Sequence, residues 1–437
     1  MNKRTGAEQW FYLAFVASLP FPSVLHFYAG SFPITLPDLL FVAAAAAWAV
    51  AWLTGRRALA GGRIYAFMAG YAIAVALATI FSADPARSAV KLVGKFYLIG
   101  IALLTFNSIS AIGDLRRTVI AWLVGAGIAV AGSFAGIIAF YAGLTDPSVN
   151  LVLHPIFGSL PSGNYRRIDG FFFYPAMFCN FLGITWMLAV MSVSLGWIRA
   201  RVFRVFSPVM WIVNFFTLTP GLGGAFLSTA LFLRNDPSRK RLPAAVRLIT
   251  TMGGVLIAGA FFIAAAVTLF SYGPNGTQVP LKDGAVAPSH RAVAWRTAVG
   301  TFMENPVFGY GLGLGVAEAE YIDPSGSRQL LVDAHNTYIS VLAETGIIGF
   351  LAFMSLIGFV TLGLYFWRTE TGDMGRIRLC FLLALADAFF YQSLTGSYED
   401  ARHLWVFIAV AAAVSGRVTF GIGDDGASGE PDAGTRR

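Results

Sequence analysis

Two groups of residues in this chain carry types and spacings suited to chemistry. Asp84-Pro85 opens a predicted helix, with the acid as N-cap and proline at the first helical position. Arg87, Lys91 and Lys95 follow at i, i+4 and i+8. Each step of four residues turns a helix by about 40°, so the three cations share one face. Cations at a helix N-terminus oppose the macrodipole. Two readings account for them: a site for a membrane-borne anion, or side chains snorkelling to lipid headgroups. The second group is Asp333-Ala334-His335-Asn336-Thr337-Tyr338, which runs into an apolar stretch. The spacing predicts His335 at a helix N-terminus, where the dipole disfavours imidazolium. A neutral imidazole can take a proton from a hydroxyl, as a general base must. The plainer reading of a lone histidine is a cap or an interfacial residue.

Other polar groups are candidates beside these. Arg166, Arg167 and Asp169 precede an apolar run and read as a solvated loop or as part of an anion site. Ser289-His290-Arg291 opens a predicted helix through Glu304, with serine as cap and Trp295 one turn after Arg291. Arg291 and Trp295 are either anchors to headgroups or ligand contacts. Asp387 is an intramembrane acid, suspect for function or paired with Gln392. Glu399, Asp400, Arg402 and His403 form either a surface ion-pair cluster or the floor of a site.

The elements that must hold these groups follow from composition. The chain has 437 residues, 57% hydrophobic and 12% charged, with mean hydropathy +0.67. Soluble domains average about 25% charged residues. No water-soluble fold of this size hides so much apolar surface, so the expected fold is an all-α polytopic membrane protein. About twelve apolar segments are predicted, at 10–29, 36–54, 64–81, 90–107, 118–143, 171–195, 202–218, 221–233, 246–270, 338–366, 376–396 and 401–417. With the N-terminus in the cytoplasm, 21 of the 31 Lys and Arg fall in cytoplasmic segments, as the positive-inside rule asks. This also accounts for the net charge of +8 without nucleic acid. The first span reads as uncleaved. Residues 1–270 are expected to hold nine spans and 271–337 a large periplasmic loop. Residues 338–417 would hold three more spans, and 418–437 a disordered cytoplasmic tail. The short piece after Thr219-Pro220-Gly221 implies a helix break within the membrane. Cys179 and Cys380 lie in apolar runs and suggest neither disulfide nor metal.

His335-Asn336-x-Tyr338 followed by Glu344-x-Gly346-x-x-Gly349 resembles the signature of the O-antigen ligase and polymerase superfamily. Arg291-x-x-x-Trp295, then Asn305-Pro306-x-x-Gly309-x-Gly311, is similar to the segment that precedes it in those proteins. The architecture matches too, with a large outer loop between spans nine and ten. The resemblance implies a transferase of the bacterial inner membrane, inverting and independent of metal or other cofactor. Such an enzyme moves a glycan from undecaprenyl diphosphate to an acceptor hydroxyl. A ligase uses lipid A core as acceptor; a polymerase uses a growing glycan, for O-antigen or exopolysaccharide. By motif, His335 is the general base or acceptor-orienting residue and Arg291 contacts the diphosphate, with Asn336, Tyr338 and Glu344 in support. Position and charge add Arg87, Lys91, Lys95, Arg166 and Arg402 as diphosphate ligands. The family often carries Ser-Arg-Gly where this chain reads Leu218-Thr219-Pro220-Gly221-Leu222-Gly223-Gly224. Either another cation replaces that arginine, with Arg402 or Lys95 as candidates, or the donor site differs, or the chain is not a ligase.

A transporter or lipid flippase is the competing class. It is disfavoured because the polar residues gather on one face rather than along a midplane path. Gly309-Tyr310-Gly311-Leu312-Gly313-Leu314-Gly315 lacks the strand and Gly-Lys-Ser/Thr of a phosphate loop and reads as a tight loop. Asn275-Gly276-Thr277 matches a glycosylation sequon by chance.

Overall fold

The structure is a computed structural model. It describes residues 6–29, 32–145, 152–160, 163–219, 221–235, 279–281, 284–286, 291–322, 328–366, 372–394 and 396–416, with 252 and 259. Twelve α-helices run through the described residues: α1 (Ala7–Ser18), α2 (Leu36–Leu53), α3 (Ile64–Ile80), α4 (Pro85–Ser108), α5 (Ile112–Tyr141), α6 (Pro175–Ser194), α7 (Ala200–Phe215), α8 (Gly221–Asn235), α9 (Arg291–Glu304), α10 (Thr337–Phe366), α11 (Asp373–Leu385) and α12 (Arg402–Gly416). Six stretches are long and apolar enough to cross a membrane: α2, α4, α5, α6, α10 and Asp373–Leu394. Two shorter apolar helices, α3 and α12, accompany them. The chain is therefore a polytopic, mainly helical membrane protein.

Several expectations change. The predicted first span at 10–29 ends at Ser18, where Pro20 and Pro22 cannot continue a helix. Residues His26–Ala29 and Phe32–Thr35 then pair as an antiparallel hairpin, β1–β2. A second hairpin, β3–β4, joins Leu153–Leu160 to Gly163–Ile168 between α5 and α6. Two more, β5–β6 (Val279–Leu281, Gly284–Val286) and β7–β8 (Ala319–Ile322, Arg328–Leu331), fall in the expected loop at 271–337. The second apolar piece after the 219–221 break forms α8, of 15 residues, following the 16-residue α7. The predicted span at 246–270 apart from 252 and 259, Asn275, Ser289 and His290, and the tail from 417 lie outside the described residues.

The bundle core is aromatic. Trp405 on α12, Tyr71 on α3, Phe353 on α10 and Phe389 are each almost wholly buried, with ring centroids 5.3–6.4 Å apart between neighbours. α12 packs on α4 and α10, and α3 on α10 and α4. This core fixes the ends of α4, α10 and α12 relative to one another.

Helix α10 spans 30 residues, about 45 Å at 1.5 Å per residue and longer than a ~30 Å hydrocarbon core requires. It is broken at Gly346, whose φ is 62° and ψ −169°. A break frees backbone groups that must find partners. Residues 306–311 supply them. The N–H groups of Tyr310 and Gly311 donate to the carbonyls of Ala343 and Glu344 at 3.0 and 3.1 Å. Those of Ile347 and Ile348 donate to the carbonyls of Pro306 and Val307 at 2.9 and 3.3 Å. The loop thus replaces the missing turn, and the 20 residues after the break are long enough to span alone. A Cβ on Gly309 would lie 2.4 Å from the Glu344 carbonyl, and one on Gly346 would lie 2.3 Å from the Val307 oxygen. These contacts give the Gly309 and Gly346 positions of the two motifs a physical role.

Candidate functional site

Helix α4 begins as the sequence predicts. Asp84 Oδ1 accepts from the Arg87 N–H at 3.0 Å, with Pro85 at the first position. Lys91 and Lys95 leave the same face. Lys91 Nζ reaches Glu344 Oε1 at 2.8 Å and Asp400 Oδ2 at 3.4 Å, while Lys95 Nζ reaches Asp400 Oδ1 at 2.5 Å. Lys95 is fully buried. Glu344 sits at the break in α10 and also accepts the Gly313 N–H at 3.0 Å. The glycine-rich segment 309–315 is thus a tight loop with positive φ at each of its four glycines, held against α10 and α4.

Lys91, Glu344 and Asp400 line a cavity of about 310 Å³. Glu318, Asp333, Ser340, Ser397 and Glu399 complete its polar wall, and Met177, Val316, Ala317 and Val332 its apolar one. Glu399 is 5% exposed, and its Oε2 has no hydrogen-bond partner among the described residues. Burial holds its carboxyl well above the ordinary glutamate range, up to about 8; Asp400 adds to that and the nearby lysines oppose it. Burial would raise Asp400 too, but Lys95 and Lys91 outweigh it and keep this carboxylate ionised well below its usual range.

His335 follows Asp333 and Ala334, which line this cavity, and is not itself among the lining residues. Its Nδ1 lies 3.3 Å from Asp333 Oδ2, and its backbone N–H donates to Asp333 Oδ1 at 3.1 Å. Asp333 Oδ1 also accepts from Ser397 Oγ at 2.6 Å. The side chain of His335 is 40% exposed. Its φ of 48° lies in the left-handed region, uncommon for a residue with a side chain. Such backbone persists only where its surroundings over-determine it. Here they do. Asn336 Oδ1 caps α10 by accepting from the Tyr338 and Ile339 N–H groups at 3.0 and 3.2 Å. Thr337 bonds Gly396 and Tyr398. Tyr338 Oη donates to the carbonyls of Phe389 and Phe390, at 3.2 and 3.4 Å. Those carbonyls belong to a π-helical turn, Ala386–Tyr391. The helix cap is therefore Asn336, and His335 precedes it.

The two quoted motifs meet here. Trp295 Nε1 on α9 donates to the Ala334 carbonyl at 2.7 Å. Arg291 is the first residue of α9, one turn before Trp295 on the same face; its side chain lies outside the described residues. Arg166 lies on β4, half-buried and apart from the cavity lining. Arg87 is exposed at the mouth of α4.

Lys91, Lys95 and Arg402, expected as cations for an anion, each face a carboxylate in the structure. Arg402 grips Asp38 with both ends of its fork, Nε to Oδ1 at 2.7 Å and Nη2 to Oδ2 at 2.9 Å, and does not line the cavity. Tyr97 Oη bonds the same carboxylate. Lys91 and Lys95 are engaged by Glu344 and Asp400. Of the two readings of the last outer turn, Glu399 and Asp400 form a cavity floor. His403 is buried against Asn180 at 2.9 Å. Asp387 is buried in the π-helical turn, where it and Gln392 approach Gly183 together. Among the described residues no group of three or more His, Cys, Asp or Glu could hold a metal ion.

Asp333, Ser340 and Ser397 are site residues that motif reading passed over. Asp333 was two residues from His335, the i, i+2 spacing that let the carboxylate reach the ring. Ser397 carries no such local signal.

Residues 171–354 match a family model described as O-antigen ligase. The matched segment contains both motifs, α9 and the break in α10. Lys91, Ser397, Glu399 and Asp400, on the other wall of the cavity, lie outside it. No curated protein matches the chain.

Proposed function

The chain belongs to the O-antigen ligase superfamily, and from that premise we propose that it transfers a glycan from undecaprenyl diphosphate to an acceptor hydroxyl at the outer face of the bacterial cytoplasmic membrane. The observation that carries this reading is the Asp333–His335 pair at the edge of the cavity, tied through Ala334 to the helix that bears Arg291. In this reading Asp333 beside Nδ1 orients the ring, and Nε2 is the atom that accepts the proton. The acceptor hydroxyl gives its proton to His335, and its oxygen attacks the anomeric carbon. The bond from that carbon to the diphosphate oxygen breaks, and the electron pair leaves with the diphosphate. Attack opposite the leaving group inverts the anomeric centre.

The departing charge needs cations. Arg291 serves that role in this reading by motif, with Arg166 and Arg87 added by position and charge. Loss of one preorganised donor of this kind costs about 10²–10³ in rate, and loss of a general base about 10²–10⁴.

Lipid A core is the acceptor of the ligase reading. The test is glycan transfer in membranes supplied with lipid-linked glycan. His335→Ala should reduce it at least about a hundredfold at unchanged expression and insertion; full activity removes His335 from the mechanism. The surface polysaccharide of a deletion strain then separates the acceptors. Long lipid-linked chains with none on lipid A mean ligase; single repeat units on the core mean polymerase.

A further inference from the structure

The cavity beside His335 has the wrong charge for a diphosphate. Among the described residues that line it, Lys91 is the single cation, against the carboxyls of Glu318, Asp333, Glu344, Glu399 and Asp400. Lys91 is shared between Glu344 and Asp400, and the buried Lys95 behind the wall is held by Asp400. An incoming phosphate would face the carboxylates of Glu318 and Asp333, which no lysine or arginine pairs among the described residues, and like charges so placed cost several kcal/mol. A sugar meets the opposite situation. Its hydroxyls donate, and ionised carboxylates are strong acceptors for O–H groups. Glu399 holds an unpartnered carboxyl oxygen in a residue 5% exposed, and Ser340 and Ser397 add groups that donate and accept. The volume of about 310 Å³ is at the lower end for small-molecule sites, suited to the end of a glycan rather than a length of it.

Asp333 joins this cavity to the base. It lines the cavity and lies against the ring of His335. A hydroxyl held on this wall is therefore beside the carboxylate that orients the base.

We infer that the cavity is the acceptor subsite, and that the sugar it takes is uncharged or amino-bearing and carries no phosphate or carboxylate. The inference rests on the transferase reading above and adds the acceptor's chemical class. It divides the site in two, with the diphosphate on the arginine side and the acceptor on the acidic side.

Binding is tested on the full chain in detergent by native mass spectrometry. The probes are chitobiose, its deacetylated diamine, a galacturonic acid dimer and inorganic pyrophosphate. Chitobiose and the diamine should bind, and the two anions at least about tenfold more weakly. Val332→Trp places a large ring on the exposed rim and should abolish binding of both sugars. Glu318→Lys, at another exposed rim position, should raise affinity for the galacturonic acid dimer by about tenfold or more. Pyrophosphate binding that Val332→Trp removes would overturn the inference. So would sugar binding that Val332→Trp leaves intact, or no binding of either sugar. Transfer in membranes is measured in parallel. Val332→Trp that loses sugar binding but keeps transfer overturns the acceptor role alone. Sugar binding in a chain that transfers nothing overturns the transferase reading, and the acceptor role with it, and leaves a sugar-binding cavity.

Discussion

Trp295 and Ala334 are joined by one hydrogen bond, from the indole N–H to the carbonyl oxygen at 2.7 Å. Ala334 is fully buried and immediately precedes His335. This bond fixes the distance between the helix carrying Arg291 and the histidine, which otherwise lie on separate elements. Trp295→Phe keeps an aromatic ring, though a smaller one, and removes the donor. It leaves a buried carbonyl unpaired, at about 1–3 kcal/mol. Transfer should fall by about tenfold or more, with thermal unfolding of the detergent-solubilised chain shifted by only a few degrees. Unchanged transfer would mean that the spacing of the two motifs does not matter to the chemistry.

Glu399 gives stability a pH dependence. A native carboxyl held near 8 keeps its proton through a range in which the unfolded chain, at its ordinary 4.5, has lost it. The native state then binds more protons than the unfolded one, so stability falls as pH rises from about 4.5 to 8. Glu399→Gln should flatten this slope in a series of thermal melts. Asp400 acts in the other direction. Its carboxylate is held ionised, so its contribution is lost as pH falls below the ordinary aspartate value of 3.8.

Gly309→Ala should break the splice between loop and helix. The φ of 77° is left-handed, and the added carbon would meet the Glu344 carbonyl at 2.4 Å. The left-handed backbone alone costs about 1–2 kcal/mol, and the clash adds to it. Lower melting temperature together with lower transfer is the expected result, since Glu344 and Lys91 shift with the backbone.

Arg402→Lys separates two roles. The guanidinium fork on Asp38 cannot be reproduced by an ammonium. The variant should lose about 1–3 kcal/mol of stability with the KM for the lipid-linked donor unchanged. A raised KM at unchanged stability would instead place Arg402 on the diphosphate.

The features legible in the sequence are those governed by local rules. The Asp84-Pro85 start of α4 and the common face of Lys91 and Lys95 needed only capping preferences and helical period. The positions of α2, α3, α6 and α12 followed from runs of apolar residues, which the bilayer requires to be helical. Partners far apart in the chain had no such signal. Asp400 lies 305 residues from Lys95, and Asp38 lies 364 from Arg402. Each cation therefore looked open to a ligand until the fold brought its carboxylate. The break in α10 was equally hidden. Glu344-x-Gly346-x-x-Gly349 sits in a run of high hydropathy that reads as one unbroken helix. Only the backbone of 306–311, from another part of the chain, makes the kink affordable. The four hairpins went unread because their strands are short and interrupted by glycine and proline.

The substitution of loop backbone for a helical turn has a bearing on how this protein can be recombined with its relatives. Residues 306–311 and 343–348 form one hydrogen-bonded unit, although one is a loop and the other part of a helix. A chimera cut between them exchanges one half of a joint and leaves four backbone groups without mates inside an apolar environment. Specificity can be grafted onto another scaffold only if the loop travels with the first half of the helix it completes.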